Sequence, residues 1–344
     1  MIIQISINLC LKTIKIKKFE TGKANAFPVS FFIEKHSALC YTYFEVWGID
    51  CGVINGGIFM EFLIKLLEIM DAKMEEPKMY GIFHLSFFVL SVVLGIVLCR
   101  VYKKPDTRFI RRLMLIVSGM VMLLEIYKQI NYSFSYTNGI KFDYQWYAFP
   151  FQFCSTPMYI GLLAGITKKG KLHDALCAYL ATFSTFAGFC VMFYPAQVFV
   201  DTIGINIQTM LCHGAMITVG IYLLGSGYVK AEHKTILKAT SVFACLVATA
   251  AVMNEIAYCT GLLETETFNM FFISPHCEPS LPVYSLVQAV VPFPWCTLIY
   301  IVAFSLAAYI ILLISMLPLW HKNSKTVYIG EINNTEEIKE EITV

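Results

Sequence analysis

Long apolar stretches recur along the chain, and polar connections separate them. Seven of these runs reach about 20 residues, the length that an α-helix needs to cross the hydrocarbon of a bilayer. They cover residues 80–102, 109–129, 147–167, 174–196, 207–229, 237–260 and 291–318. Glu125 and Lys128 interrupt the end of the second run. The pattern predicts an all-α fold, a polytopic membrane helix bundle of seven transmembrane helices.

Lysine and arginine are distributed unevenly among the connections between the runs. The cations of the first, third and fifth connections are Arg100, Lys103, Lys104, Arg108, Arg111, Arg112, then Lys168, Lys169, Lys171, then Lys230, Lys234 and Lys238. The second connection holds only Lys128 and Lys141, and the fourth and sixth hold none. Cationic connections stay on the cytoplasmic side of a membrane. We therefore expect the amino terminus outside and the carboxyl terminus in the cytoplasm.

Segments outside the runs complete the predicted domain organisation. Residues 1–59 contain no run long enough to span, and we interpret them as an N-terminal extension that is an artefact of the gene start. Gly56-Gly57 would fall where a bacterial ribosome-binding site lies, so translation is expected to begin at Met60 in a bacterium. Residues 60–79 are predicted to form an amphipathic segment on the membrane surface. Residues 80–318 form the transmembrane domain, and 319–344 a polar cytoplasmic tail. The expected location is the plasma membrane.

Composition supports the same class of protein. Hydrophobic residues make up 57% of the 344 residues and charged residues 15%, whereas soluble domains carry about 25% charged residues. The net charge is +2, and the charged residues lie between the apolar runs. Neither fact gives a reason to expect nucleic acid as a partner. The 12 cysteines include no CxxC pair, so neither a metal site nor a soluble cofactor is predicted.

Polar residues inside the runs fall at one predicted depth. At 1.5 Å per residue they lie roughly 5–11 Å below the outer surface. These residues come from five helices and are His84, Glu125, Gln152, Cys154, His213, Asn254 and Glu255. Polar groups in hydrocarbon are costly and usually face a bundle interior or a cavity. The shared depth predicts one polar pocket that opens outward.

Each of these residues also has a purely structural interpretation. Glu125 could extend to the interface, Asn254 could bind a neighbouring helix, and His84 could be interfacial. Cys154 alone would be a packing residue, as would Cys212, which is predicted to point to a different face of its helix from His213. A histidine in mid-leaflet is more often functional.

Cys154 and His213 together have a chemistry that neither has alone. An imidazole can take the proton of a nearby thiol and leave a nucleophilic thiolate. Glu255, Glu125 or Asn254 could orient the imidazole, so the layer holds candidates for nucleophile, base and orienting group.

A series of short motifs resembles one family of membrane proteins. Residues 149–155, Phe-Pro-Phe-Gln-Phe-Cys-Ser, resemble the L-P-x-H-x-C-S signature of YwaF-like integral membrane proteins. His84 in the first run, His213-Gly214 in the fifth, and the segment Asn269-Met270-Phe271 before the last run fit the same pattern, over residues 80–318.

This family resembles the animal membrane acyltransferase transmembrane protein 164. That protein is described as moving an acyl chain from a diacyl phospholipid to a lyso-ether phospholipid through a Cys nucleophile and a His. The resemblance implies that Cys154 is the nucleophile, His213 the base and Asn269 part of the supporting polar layer. The chain departs from the signature at Gln152, where the family has His; glutamine can replace a hydrogen bond but not a proton transfer.

Two functions of different classes therefore remain open. The first is a phospholipid O-acyltransferase in the outer leaflet that acts through a thioester and has membrane phospholipids as partners. The second is a small-solute or proton-coupled carrier or sensor with a polar pocket open to the outside. A seven-helix receptor would usually carry a cysteine in the second outer connection, and residues 197–206 contain none. A purely structural membrane protein is the remaining interpretation.

Overall fold

The computed structural model describes residues 56–137, 139–195, 198–278 and 281–317. The chain divides into two units between Lys65 and Leu66. Of the first unit, the described part is the start of a helix in which Glu61 and Lys65 form an exposed ion pair at 3.8 Å. The predictions for residues 1–55 and for the tail from 319 lie outside the described residues.

Helices account for most of the described chain. Their bounds are α1 Gly56–Met70, α2 Ile82–Val101, α3 Thr107–Asn131, α4 Thr156–Ile166, α5 Lys171–Phe193, α6 Ile203–Gly225, α7 His233–Cys259, α8 Pro282–Val290 and α9 Trp295–Leu317. A two-residue antiparallel pair, β1 Phe134–Ser135 and β2 Lys141–Phe142, follows α3. Short 3₁₀ turns lie at Trp146–Ala148, Leu262–Glu264 and Met270–Phe272.

Five of these helices, α2, α5, α6, α7 and α9, are long and apolar enough to cross a membrane. The helical membrane-protein class is thus confirmed, while the prediction of seven spans is not. In the third predicted run only Thr156–Ile166 is α-helical, and a helix of 11 residues covers only about 16 Å. The second run lies within α3, whose 25 residues carry three arginines near the start and Glu125 and Lys128 near the end. Helix α8 was not predicted.

Helices α5 and α6 form the interior of the bundle. Of the most apolar stretch of each, 72% is buried, against 17% for α2 and 22% for α7 and for α9. The exposed faces of α2 and α9 are rich in valine, leucine and isoleucine, as expected of surfaces that meet lipid. Gly220 lets α6 approach α5, because a Cβ atom there would lie 1.7 Å from the Thr185 hydroxyl oxygen. Small residues at helix contacts are typical of membrane bundles.

A polar cluster holds the connection after α1 against the start of α6. The Lys73 ammonium contacts Asp71 at 3.0 Å and Asp201 at 3.2 Å, and the Asp71 carboxylate accepts hydrogen bonds from Thr202 and Tyr136. Backbone bonds between residues 72–74 and 201–203 add to these contacts. This cluster lies outside the membrane-spanning segments.

Candidate active site

A small cavity lies between α3, α4, α5 and α6, and Cys154 is in its wall. Its volume is about 30 Å³, room for one or two water molecules. Cys212 of α6 lines the same cavity, and most of the other lining groups are apolar. Sequence reasoning placed Cys212 on a packing face away from the site, whereas the structure puts both thiols on one cavity.

A π-helical turn in α5 shapes one wall of this cavity. The turn covers Leu180–Ser184, and both of these end residues line the cavity. The Thr185 hydroxyl donates to the Leu180 carbonyl at 3.0 Å, which satisfies a carbonyl within the widened turn. Such turns occur often at functional sites. The hydropathy pattern of this run did not predict the turn.

Cys154 lies immediately before α4, in a non-helical segment whose shape is fixed by hydrogen bonds. The backbone N–H groups of Ser155 and Thr156 donate to the Gln152 carbonyl, and the Thr156 hydroxyl bonds the Phe153 carbonyl and Tyr179. The backbone N–H groups of Cys154 and Ser155 lie within reach of the Cys154 sulfur. The start of α4, where backbone N–H groups have no partner within the helix, is therefore close to the sulfur.

His213 presents a free lone pair. Its Nδ1 lies 2.7 Å from the Thr209 carbonyl oxygen, which can only accept, so Nδ1 carries the proton and Nε2 is the acceptor of a neutral ring. Nε2 is buried and has no hydrogen-bond partner among the described residues. An unpaired buried acceptor is costly, and an imidazole in this tautomer can take a proton at Nε2.

His213 lies near the middle of α6 and is not among the residues that line the cavity. Helix α6 begins at Ile203, so His213 is its eleventh residue and lies roughly 15 Å along the helix. The residues of α6 that line the cavity are Cys212, Ala215, Met216 and Val219. The His213 backbone instead packs on α5, where a Cβ atom on Gly188 would lie 2.9 Å from the His213 carbonyl oxygen.

Glu125 anchors a buried polar network beside the two thiols. Its carboxylate contacts Lys128 at 2.7 Å and accepts a hydrogen bond from Gln129 at 2.8 Å and from Gln208 at 3.3 Å. The same Gln208 amide donates to the Cys212 sulfur at 3.5 Å. Glu125 and Lys128 also act electrostatically on both Cys154 and Cys212. Glu125 is the member of the predicted polar layer in this network, and Gln208 links it to the Cys212 sulfur.

Three other residues of the predicted layer meet in a backbone clamp. The Gln152 amide donates to the Asn269 carbonyl at 3.0 Å and accepts from the Phe271 N–H at 2.9 Å. The Asn254 side chain donates to the Met270 carbonyl at 3.0 Å and accepts from the Met270 N–H at 2.8 Å. The Asn269 side chain accepts from the N–H of residue 274. These amides satisfy a segment in which Phe271 has a positive φ of 57°, a conformation that bulky residues rarely adopt.

His84 and Glu255 lie apart from the thiol cavity. The His84 Nδ1 accepts from the Tyr80 N–H at 3.2 Å and its Nε2 bonds the Met192 carbonyl at 2.8 Å, so both ring nitrogens are satisfied and α2 is tied to α5. Glu255 contacts His276 at 3.1 Å near the surface. Within the described ranges, no group of three or more His, Cys, Asp or Glu residues could hold a metal ion.

An outward groove adjoins the cavity. It has a volume of about 240 Å³ and is lined by Glu125 and Gln129 together with apolar groups such as Ile126 and Phe134. Met158 lines both the groove and the thiol cavity. A buried methionine is flexible, so this side chain is the thinnest barrier between the groove and Cys154.

Comparison with known proteins places this architecture in a family. The family model described as the TMEM164 family matches residues 79–315. No curated protein and no solved structure matches the chain. The match covers more than half of the sequence and contains the thiol cavity, the His213 helix and the amide clamp. This integral membrane protein belongs to the TMEM164 family.

Proposed function

We propose that this protein is a phospholipid acyltransferase in which Cys154 is the nucleophile and His213 the base. In the first half of the reaction the Cys154 sulfur attacks the carbonyl carbon of an acyl ester. The thiol proton passes to His213 Nε2, the carbon–oxygen bond breaks, and the departing lysophospholipid oxygen takes that proton. In the second half a hydroxyl of an acceptor lipid gives its proton to Nε2 and attacks the thioester, and the proton then returns to sulfur. No soluble cofactor is required.

The observation that carries this proposal is a cysteine in the wall of a cavity that adjoins a larger groove. The groove has a polar end at Glu125 and Gln129 and apolar sides, which suits a headgroup and an acyl chain. A shift of Met158 would join it to the Cys154 cavity, which at about 30 Å³ is too small for an acyl ester until it opens.

The unpaired His213 nitrogen gives the second support. A base must have a lone pair that no protein donor occupies, and Nε2 meets this condition. Its ring does not line the closed cavity, so we propose that it turns toward the thiol when substrate opens the site. Catalytic hydrogen bonds often tighten only in the substrate complex.

Acylation of the protein by a labelled phospholipid tests the proposal. The purified full chain should acquire a hydroxylamine-sensitive acyl group, and Cys154→Ala should abolish it. Cys212→Ala is the matched control, because it removes a thiol from the same cavity and should leave acylation intact. No acyl group on the folded protein, together with loss of solute uptake in His213→Ala, would instead support the carrier hypothesis.

We further propose seven membrane crossings, with the amino terminus outside and the carboxyl terminus in the cytoplasm, in a bacterial plasma membrane. The cations between α2 and α3 carry this orientation. A cysteine introduced by Lys104→Cys should be shielded from an impermeant thiol reagent in intact cells. Labelling of that cysteine from outside would reverse the proposed topology.

A further inference from the structure

A second cavity lies at the opposite end of the bundle, where α5 and α7 begin. Its volume is about 310 Å³. Four lysines line it, Lys169, Lys230, Lys234 and Lys238, together with two carboxylates, Asp174 and Glu232. It is separate from the thiol cavity and groove, and the proposed acyl transfer does not use it.

The lysines of this cavity are only partly neutralised. Lys169 contacts Asp174 at 2.7 Å, and Lys230 contacts Glu232 at 3.9 Å with both side chains largely exposed. Lys234 and Lys238 form no ion pair within the described ranges. Four cations against two carboxylates leave an excess of two positive charges in a concave site.

The two unpaired lysines are in an unfavourable place for the protein alone. They lie four residues apart near the start of α7, where like charges repel each other and where the positive end of the helix dipole disfavours cations. Glu232, the residue that precedes the helix, provides no side-chain cap for the first turn. A bound anion would relieve all three costs, since it would pair with both ammonium groups and face the free N–H groups.

Another lysine of this cavity, Lys169, is held by contacts with an aromatic ring and a carboxylate. The Lys169 ammonium lies 4.5 Å from the centre of the Tyr228 ring, and the Tyr228 hydroxyl contacts the His173 Nε2 at 2.7 Å. A cation fixed by a ring and a carboxylate keeps its position with little loss of entropy on binding.

We propose that this cavity binds a phosphate-bearing anion. A phosphate group offers several oxygens to separate ammonium groups, which matches lysines on one helix and two connections. The phosphate can belong to a soluble compound or to a lipid headgroup, since the cavity opens at the bundle end that the charge pattern predicts to be cytoplasmic.

Inorganic pyrophosphate and phosphatidic acid are the probes that separate these sources. The full chain in phosphatidylcholine nanodiscs should bind pyrophosphate by calorimetry at fixed ionic strength. The double variant Lys234→Gln, Lys238→Gln should bind it about tenfold more weakly, the loss expected from 1.4 kcal/mol of charge-assisted contact. In a parallel arm, phosphatidic acid in the nanodisc should raise the unfolding midpoint of the unaltered chain but not of the double variant if the natural ligand is a headgroup.

Lys103→Gln, Lys104→Gln is the matched control, because it removes the same charge from exposed lysines that do not line the cavity. Loss in the cavity variant alone, in either arm, supports the proposal. No response to either probe, or equal responses in the two double variants, overturns it. If the cavity double variant does not accumulate, Lys238→Gln alone replaces it and should lose part of the affinity.

Discussion

Two cysteine–histidine pairs in this bundle differ. In one pair the two side chains are in contact, and in the other the histidine has a ring nitrogen that is free to accept a proton. Cys177 and His173, one turn apart in α5, are in direct contact, with Sγ and Nε2 3.5 Å apart. Both nitrogens of His173 are nevertheless occupied, by the Ala164 carbonyl and the Tyr228 hydroxyl. Within the described residues no hydrogen bond joins His213 to a thiol, and its Nε2 has no hydrogen-bond partner.

The difference shows what a candidate base requires. The His173 ring holds the start of α5 to the end of α4 and to the connection after α6, and its lone pair is already shared between a phenol and a thiol. His213 has one nitrogen fixed by Thr209 and one free to take a proton. A search by proximity alone would select the first pair, whereas accounting for every hydrogen bond selects the second.

Replacing either histidine with alanine should have a distinct effect. His213→Ala should slow the acylation of Cys154 by about 10²–10⁴-fold, the usual contribution of a positioned base. His173→Ala should leave that rate unchanged and lower the stability by about 1–3 kcal/mol, because buried partners lose their hydrogen bonds. Single-turnover acylation and thermal unfolding in detergent measure both. Equal slowing by the two variants would contradict the assignment.

An added methyl group at Gly188, where α5 packs on His213, should have a larger effect than one at a glycine elsewhere. In Gly188→Ala the new Cβ would lie 2.9 Å from the His213 carbonyl oxygen and 3.0 Å from the Met216 Cβ. We expect a loss of about 1–3 kcal/mol from overpacking and slower acylation. Gly119→Ala in α3 is the control, since nothing lies within 4 Å of its added Cβ. Retained activity in Gly188→Ala would show that the α5–α6 contact does not position His213.

Changes in the amide clamp should lower the stability of the protein more than its rate of acylation. Gln152→Ala leaves the Asn269 carbonyl and the Phe271 N–H without their partner, at a cost of about 1–3 kcal/mol. Asn254→Ala should cost a similar amount, and the two losses should not add, because both side chains hold the same segment. Unfolding of the two single variants and the double variant measures this coupling. Additive losses would show that the two amides act independently.

The smallest expected effect is on stability at acid pH, and it concerns Asp71, which lies outside the membrane-spanning segments. Burial opposes ionisation of Asp71, but its hydrogen bonds with Lys73, Tyr136 and Thr202 outweigh that cost and lower its pKa. The pKa of Asp71 in the folded protein is below its value of about 3.9 in the unfolded chain. The Asp71 carboxylate therefore stabilises the fold fully above pH ~3.9, and its contribution is lost as the pH falls through the folded-state pKa. Asp71→Asn should flatten the acid limb of the unfolding midpoint, and Glu61→Gln should not. Identical acid limbs for Asp71→Asn and the unaltered chain would contradict this role.

Much of the fold follows from the sequence because hydropathy reports directly on lipid burial. Five of the predicted runs became helices long enough to span, and their bounds agree with the predicted ones within four residues. The run around residue 150 failed because hydropathy does not register that Pro150 lacks a backbone donor or that Gln152 bonds a distant backbone.

The site was harder to predict than the fold, because depth along a helix says nothing about direction around it. His84, Asn254 and Glu255 share the predicted layer with Cys154 but point to other partners. Cys212 was assigned to packing, although Gln208, four residues earlier, shares its face of α6 and bonds its sulfur. That spacing was the available signal. The pairing of Gln208 with Glu125 is a contact between helices, which one sequence cannot reveal.

Location of the acyl group within the protein tests the central claim most directly. After incubation with a defined diacyl phospholipid, peptide mass spectrometry should find one hydroxylamine-sensitive acyl group, on Cys154. Cys212 is the internal control, because it lines the same cavity. An acyl group on Cys212 in place of Cys154 would contradict the account.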